Sequence, residues 1–489
     1  MDSPLSRSNR DLLTRRVFLR VGGASAGAVA ASGGVLLAAC ERSDTLLEPN
    51  LAKGGQGKGG PKDQPSARNP LNVPQVLSPT GLQLTAAPAP VDLGGDNVAS
   101  VWAYNGSFPG PTIQARTGNS AAITLKNGLQ DESITHWHGM IVDHVNDGHP
   151  EYAKSPGVDY TYSFAIVQRA TMNWYHPHPH EKTGEQVAMG LAGAFIIRDN
   201  QEDALNLPAG TREVPLIVRD ADFDRSNAIQ YKPRSGGYLG KIPLVNGTRD
   251  PFLGVDTALY RFRILNGSNA RIYRFALSDG SPFHLIGNDG GLLAARVPCN
   301  EILLSPAERV DVLIDFRALA LNGTVMLRDL DSGWDLLEFV ATNKVNDNAT
   351  IPGSLSTIAA LNPPASPRRV FSFDGMSRIN GKAYDMSAIE FTVPFAETER
   401  WRFTTNGNAP HPVHIHGAYF QVLSRDGGRG ALYPWEAGWK DTVLLEDGET
   451  VDIAIRFDAA CNKGQTYLMH CHKLEHEDMG MMLNFAVSS

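Results

Sequence analysis

His470-Cys471-His472-Lys473-Leu474-Glu475-His476-Glu477-Asp478-Met479-Gly480-Met481-Met482 is the stretch that decides how this chain of 489 residues is read. A thiolate, an imidazole and a weakly held thioether form the soft ligand set of a copper electron-transfer centre. Cys471, His476 and Met481 supply that set. Neighbours in an extended backbone point to opposite faces, so His470 and His472 turn away from the side Cys471 uses. One strand end can therefore hold a sulfur-ligated metal on one face and offer two imidazoles to other metals behind it. The path from Cys471 through backbone to its two neighbours is short enough to carry electrons. A structural zinc site is the plainer alternative, but zinc closes on four tetrahedral nitrogen or sulfur ligands and has little use for a thioether.

Working outward, the other histidines repeat this logic. His136-Trp137-His138 and His176-Pro177-His178 have i, i+2 spacing, which puts both imidazoles of a pair on one strand face. In His411-Pro412-Val413-His414-Ile415-His416, His414 and His416 share a face while His411 stands apart by odd spacing and joins the sulfur side. Ten of the 14 histidines thus fall in four tight groups, and eight of them form H-x-H pairs. Eight imidazoles suit three metals with two or three ligands each. Two pairs lie early and two late, so the ends of the chain are expected to meet around a shared cluster. His180 extends the second pair as a competing ligand. His144 and His149 are expected in a surface loop, and His284 as a satisfied structural histidine.

The scaffold reads as all-β. Runs such as Ser100-Val101-Trp102-Ala103-Tyr104, Ala121-Ala122-Ile123-Thr124-Leu125 and Val310-Asp311-Val312-Leu313-Ile314 are short and bounded by turn clusters, with no long 3.6-residue period. Three domains are expected, at 71–200, 205–350 and 369–489. The middle one lacks a ligand cluster and reads as a spacer, and Thr342 to Pro367 reads as a connection. A net charge of −8 argues against nucleic acid as a partner. Before the body, Thr14-Arg15-Arg16-Val17-Phe18-Leu19-Arg20 and the uncharged 21–39 stretch read as an export signal of the twin-arginine type. Leu37-Ala38-Ala39-Cys40 resembles a lipobox, which would anchor the chain at Cys40 outside the cytoplasmic membrane, in the periplasm. Residues 41–70 read as a disordered linker. Cys299 and Cys461 either pair or stay as two buried thiols.

The motifs HWHG at 136–139, WYHPH at 174–178, HPVHIH at 411–416 and HCHKLEHEDMGMM at 470–482 resemble the multicopper oxidases, a family that includes laccases, bilirubin oxidases and cuprous oxidases. The similarity covers roughly residues 90–489. It implies three cupredoxin-like Greek-key β-barrel domains, four copper ions and a monomer. Carried over, it gives a type 1 copper to His411, Cys471 and His476 with Met481 axial, and a type 2 copper to His136 and His414. The type 3 pair falls to His138, His176 and His472 on one ion and His178, His416 and His470 on the other. The implied activity is laccase-like: a small reductant (a phenol, an aromatic amine or Cu(I)) gives electrons at an exposed edge of His411 or His476, and O2 is reduced to water at the cluster. The protons this consumes point to the buried carboxylates Asp147 and Glu477. Asp441, in Gly438-Trp439-Lys440-Asp441-Thr442, matches a family motif and is expected to orient backbone or a ligand. Two rivals stand beside this reading. A cuprous oxidase would typically carry a Met-rich insertion, and residues 341–375 contain no methionine. A copper-free scaffold of the cell-division type would have lost ligands, and every ligand position here is filled.

Overall fold

A computed structural model of the chain describes residues 68–407 and 410–489. The export signal, Cys40 and most of the linker lie outside the described residues. Among the described residues no helix is long and apolar enough to cross a membrane.

Strand burial follows sequence alternation. Ser120–Asn127 buries Ala121, Ile123 and Leu125 completely and leaves the residues between them toward solvent. A slip of one residue would turn that set outward, and each such Ile or Leu is worth about 1.5–3 kcal/mol of burial. Thr171–Pro177 and Leu259–Asn266 are instead buried at every position. They pack a core on one side and the neighbouring unit on the other. Met172, Trp174 and Ile196 of the first unit meet Ile217, Leu265 and Ala307 of the second in one apolar cluster.

Six sheets form three consecutive pairs, each enclosing its own core. The pairs repeat one topology. In the first, Thr80–Asp92 runs parallel to Ser120–Asn127, and Thr112–Arg116 parallel to Gly193–Arg198. In the second the same roles fall to Glu213–Ala221 with Leu259–Asn266 and Pro251–Asp256 with Trp334–Asn343. In the third they fall to Arg369–Asp374 with Thr398–Asn406 and Ile389–Val393 with Met482–Val487. This repetition explains the middle unit's lack of ligands. Its counterparts of the ligand-bearing strands His411–Ile415 and Thr466–Cys471 are Tyr273–Leu277 and Thr324–Asp329. They fill the same places with Tyr273, Phe275, Val325 and Leu327, all packed in the core.

Two sequence expectations need correction here. The linker ends earlier than 70, because Asn69–Pro70 already pairs with Pro251–Phe252 at the edge of a middle-unit sheet. His149 is not a surface residue: it is 1% exposed, and its Nε2 lies 2.9 Å from Asn484 Oδ1 of the last strand. Its neighbour His144 is half-covered against Thr466 O and Glu151. Of the two options left open for Cys299 and Cys461, the structure shows no bond between them; Cys461 Sγ donates to Ile141 O. The connection after the middle unit is non-regular as expected, tacked down by an Ala295–Ser354 bridge and buried Leu355. His284 is half-buried, with Nδ1 3.4 Å from Arg296.

Candidate metal centre

Two antiparallel ladders position the histidines. In the first unit His136 stands opposite His176. In the third His414 stands opposite His470, and Val413 opposite Cys471. Alternation then sends Cys471 and His411 into the third core and His470, His472, His414 and His416 out of it, toward the first unit. The two ends of the chain meet there. His136 stacks on His416 at 3.9 Å, and His138 on His414 at 3.7 Å.

The sulfur side is a small triangle. His411 Nδ1 lies 3.6 Å and His476 Nδ1 3.8 Å from Cys471 Sγ, and the two nitrogens are 3.3 Å apart. All three residues are buried. Met481 is fully buried in the same core. Its backbone N–H donates to His476 O and its carbonyl accepts from Cys471 N–H, which ties the thioether to both ligands. A trigonal Cys-His-His set with a neighbouring Met suits a copper electron-transfer site. Burial pushes the Cys471 thiol up to about 12, so the thiolate forms only when a metal displaces its proton.

The imidazole side falls into groups whose donor atoms lie within 4.8 Å of one another: His138, His176 and His472; His178, His416 and His470; and His136 and His414, which close with His138. Most of these rings are held from behind. Nδ1–H of His136 donates to Asp147 O at 2.6 Å, that of His176 to Pro177 O at 2.8 Å, and that of His414 to Asp441 O at 2.8 Å. His416 Nδ1–H donates to Asp147 Oδ2 at 2.7 Å, and His138 Nε2–H to Asp441 Oδ1 at 3.1 Å. Anchoring the rear nitrogen fixes the tautomer and aims a lone pair forward. The forward atoms His136 Nε2, His138 Nδ1, His176 Nε2 and His414 Nε2 have no hydrogen-bond partner among the described residues, and neither nitrogen of His472 has one. His178 Nε2 and His416 Nε2 face His470 Nε2 at 3.4 and 3.1 Å. Buried acceptors left facing one another are costly unless a cation lies between them. Burial lowers the pKa of His136, His138, His414, His416 and His472 well below its ordinary value, and that of His176 to about 3, which keeps these six neutral and able to ligate. The donor set fits metal.

Both candidate carboxylates lie beside the rings. Asp147 is fully buried, burial holds its carboxyl pKa well above the ordinary range, and Oδ1 has no hydrogen-bond partner among the described residues. Glu477 Oε2 lies 3.1 Å from His470 Nδ1, and Oε1 3.5 Å from His178 Nε2. His180 stands outside the three groups, its ring against Tyr384. One expectation fails: His411 and His476 show no exposed edge, being 0% and 1% exposed. The sequence also hid a contribution from the middle unit, whose Arg309 grips Asp441. The sole hint was a Glu308-Arg309 charge pair abutting an apolar strand.

Gly148 carries the Asp147 loop over the first ligand strand. With φ at +78° and an added Cβ only 2.3 Å from Thr135 O and 2.6 Å from His136 Cα, no side chain fits. Gly148→Ala is expected to cost at least about 1–3 kcal/mol through strain alone and to disturb any metal at His136. Thermal unfolding and the metal's electron paramagnetic resonance (EPR) spectrum would check both; a variant with unchanged melting and spectrum would refute the close approach.

Family models described as multicopper oxidase match residues 86–202 and 357–489. The multicopper oxidase of Staphylococcus aureus is 33% identical over 434 residues, 85% of this chain and 92% of that protein. A solved multicopper oxidase from the hyperthermophile Aquifex aeolicus superposes with a TM-score of 0.81 at 36% identity, covering 86% of this chain and 100% of that one. A cell division protein of Dickeya dadantii is 30% identical over 436 residues, 84% of this chain and 91% of that protein. Repeated cupredoxin-like β-barrels with a Cys-His-His triangle beside a histidine cluster define a class of copper protein. The chain belongs to the multicopper oxidase family, whose members bind copper and are in general oxidoreductases.

Proposed function

We propose that the protein is a laccase-like oxidase that takes electrons singly from a small reductant and passes them to dioxygen. His411, Cys471 and His476, with Met481 beside them, would hold a type 1 copper and His136 with His414 a type 2 copper. The triads His138, His176, His472 and His178, His416, His470 would hold the type 3 pair, four ions in all. Copper, when bound, supplies one-electron transfer at the thiolate site and reduction of dioxygen to water at the cluster.

One observation carries the reading. Cys471 sits between His470 and His472, and these two belong to different triads. A single residue therefore leads from the sulfur site to both halves of the cluster through covalent bonds. Around that wire the chain excludes water by burial. Asp147 keeps His416 oriented through Oδ2 while Oδ1 is available to hold a proton; Glu477, whose pKa His178 and His470 lower to about 2 in spite of its burial, stays a carboxylate that orients those two rings. The complete set of forward nitrogens supports an enzyme over the scaffold role that the cell-division relative's name describes. Arg15-Arg16 and Leu37 to Cys40 support export by the twin-arginine route, with a lipid anchor at Cys40.

Oxygen uptake by copper-loaded protein with Cu(I), a methoxyphenol or bilirubin as reductant tests the proposal. Turnover with the phenol is expected. Uptake with Cu(I) alone would favour the cuprous-oxidase reading, and no uptake with any reductant would favour the scaffold.

A further inference from the structure

Beneath the histidine cluster lies a knot of five ionisable side chains, none more than 1% exposed: Asp289, Glu308 and Arg309 from the middle unit, Lys440 and Asp441 from the third. Lys440 Nζ binds Asp289 Oδ2 at 2.8 Å and Glu308 Oε1 at 2.9 Å. Arg309 donates from both terminal nitrogens to Asp441, at 2.7 and 2.6 Å, and its guanidinium also reaches the carbonyls of Met172, Ala307 and Asp289. Three carboxylates against two cations leave one net negative charge. Burying so many ions is expensive and often gives less stability than apolar packing would. Its retention calls for another role.

The place of the knot supplies that role. Asp441 Oδ1 accepts from His138 Nε2, and Asp441 O accepts from His414 Nδ1. Thr442 Oγ1 lies between, 3.3 Å from each of those nitrogens and 2.9 Å from Asp441 Oδ1. The two rings stack with planes 15° apart. One aspartate thus sets two ligands assigned to different metals, and one arginine sets the aspartate. Asn173 Oδ1 also lies 3.4 Å from Arg309 Nη2, so the same guanidinium reaches the strand that bears His176.

We propose that Arg309 is a positioning residue for the copper cluster. It holds Asp441 so that Oδ1 accepts from His138 Nε2 and the backbone carbonyl accepts from His414 Nδ1, which locks both rings from behind. The middle unit is then a clamp as well as a spacer. Only a planar fork can serve both carboxylate oxygens and the surrounding carbonyls at once, so lysine is a poor substitute.

This rests on the copper reading above, and the test separates the two. Arg309→Met, Arg309→Lys and Asp441→Asn are loaded with copper, challenged with a chelator and followed by copper analysis and EPR, with the thiolate absorption band as the internal sign of an intact fold. A comparison variant, Arg263→Lys, disturbs another buried ion cluster of the middle unit, with Glu202 and Glu213. We expect the Arg309 and Asp441 variants to keep the band but to lose non-blue copper about 10–100 times more readily, with altered type 2 hyperfine splitting, while Arg263→Lys changes neither. If Arg309→Met loses its fold, Arg309→Lys decides on the same two readouts. Parent-like copper retention and spectrum in the folded Arg309 variants, or an equal effect in Arg263→Lys, would overturn the positioning role. A parent protein that retains no copper would overturn the copper reading itself.

Discussion

Cys471→Ser should abolish the intense thiolate-to-copper absorption and reduce oxygen uptake to background, while the chain stays folded. Cys471 is fully buried, and serine is smaller and isosteric in shape, so the cost to packing is small. What is lost is the soft ligand that defines the site. The histidine cluster should still load, because the rear partners of six of its eight rings are Asp147, Pro177, Asp441 and Glu477, none of them the sulfur. Metal analysis should therefore show the cluster ions retained in a protein that cannot be reduced by its substrate. Residual turnover above a few per cent would mean that electrons reach the cluster without passing Cys471, and the wire would have to be abandoned.

Asp147→Asn should leave the absorption band and one-electron reduction of the sulfur site intact and slow oxygen turnover by about 100- to 10,000-fold, the range for removal of a positioned proton donor. The geometry makes the comparison clean. His136 is held by the backbone carbonyl of residue 147, which the substitution keeps, and the asparagine carbonyl can still accept from His416 Nδ1–H. Only the proton at Oδ1 is gone. Stopped-flow reduction measured beside steady-state oxygen consumption checks this; unchanged consumption would remove Asp147 from any proton role.

The metal site was legible because its chemistry is local. Period-two alternation turns H-x-H into a pair on one face and H-C-H into two faces, and strand geometry needs nothing further to separate sulfur from imidazole. The pattern of eight such rings split between the ends of the chain required those ends to touch, and the stacks of His136 on His416 and His138 on His414 show that contact. What stayed hidden depends on long-range packing. His149 reads as a loop residue because nothing nearby reveals Asn484, 335 positions away, as its partner. The coverage of His411 and His476 likewise comes from packing that no spacing encodes. Nothing in the sequence around Arg309 singles it out, since its partner Asp441 lies 132 positions away in another unit.

The most direct test of the whole reading is a single sample: purified, copper-reconstituted protein measured for metal content and visible absorption together. We expect four copper ions per chain, the sum of the sites read from the four histidine groups, with an intense thiolate-to-copper band that is bleached by reductant and restored by air. Fewer ions without that band would contradict the coupling of a sulfur-bound copper to a dioxygen-reducing cluster.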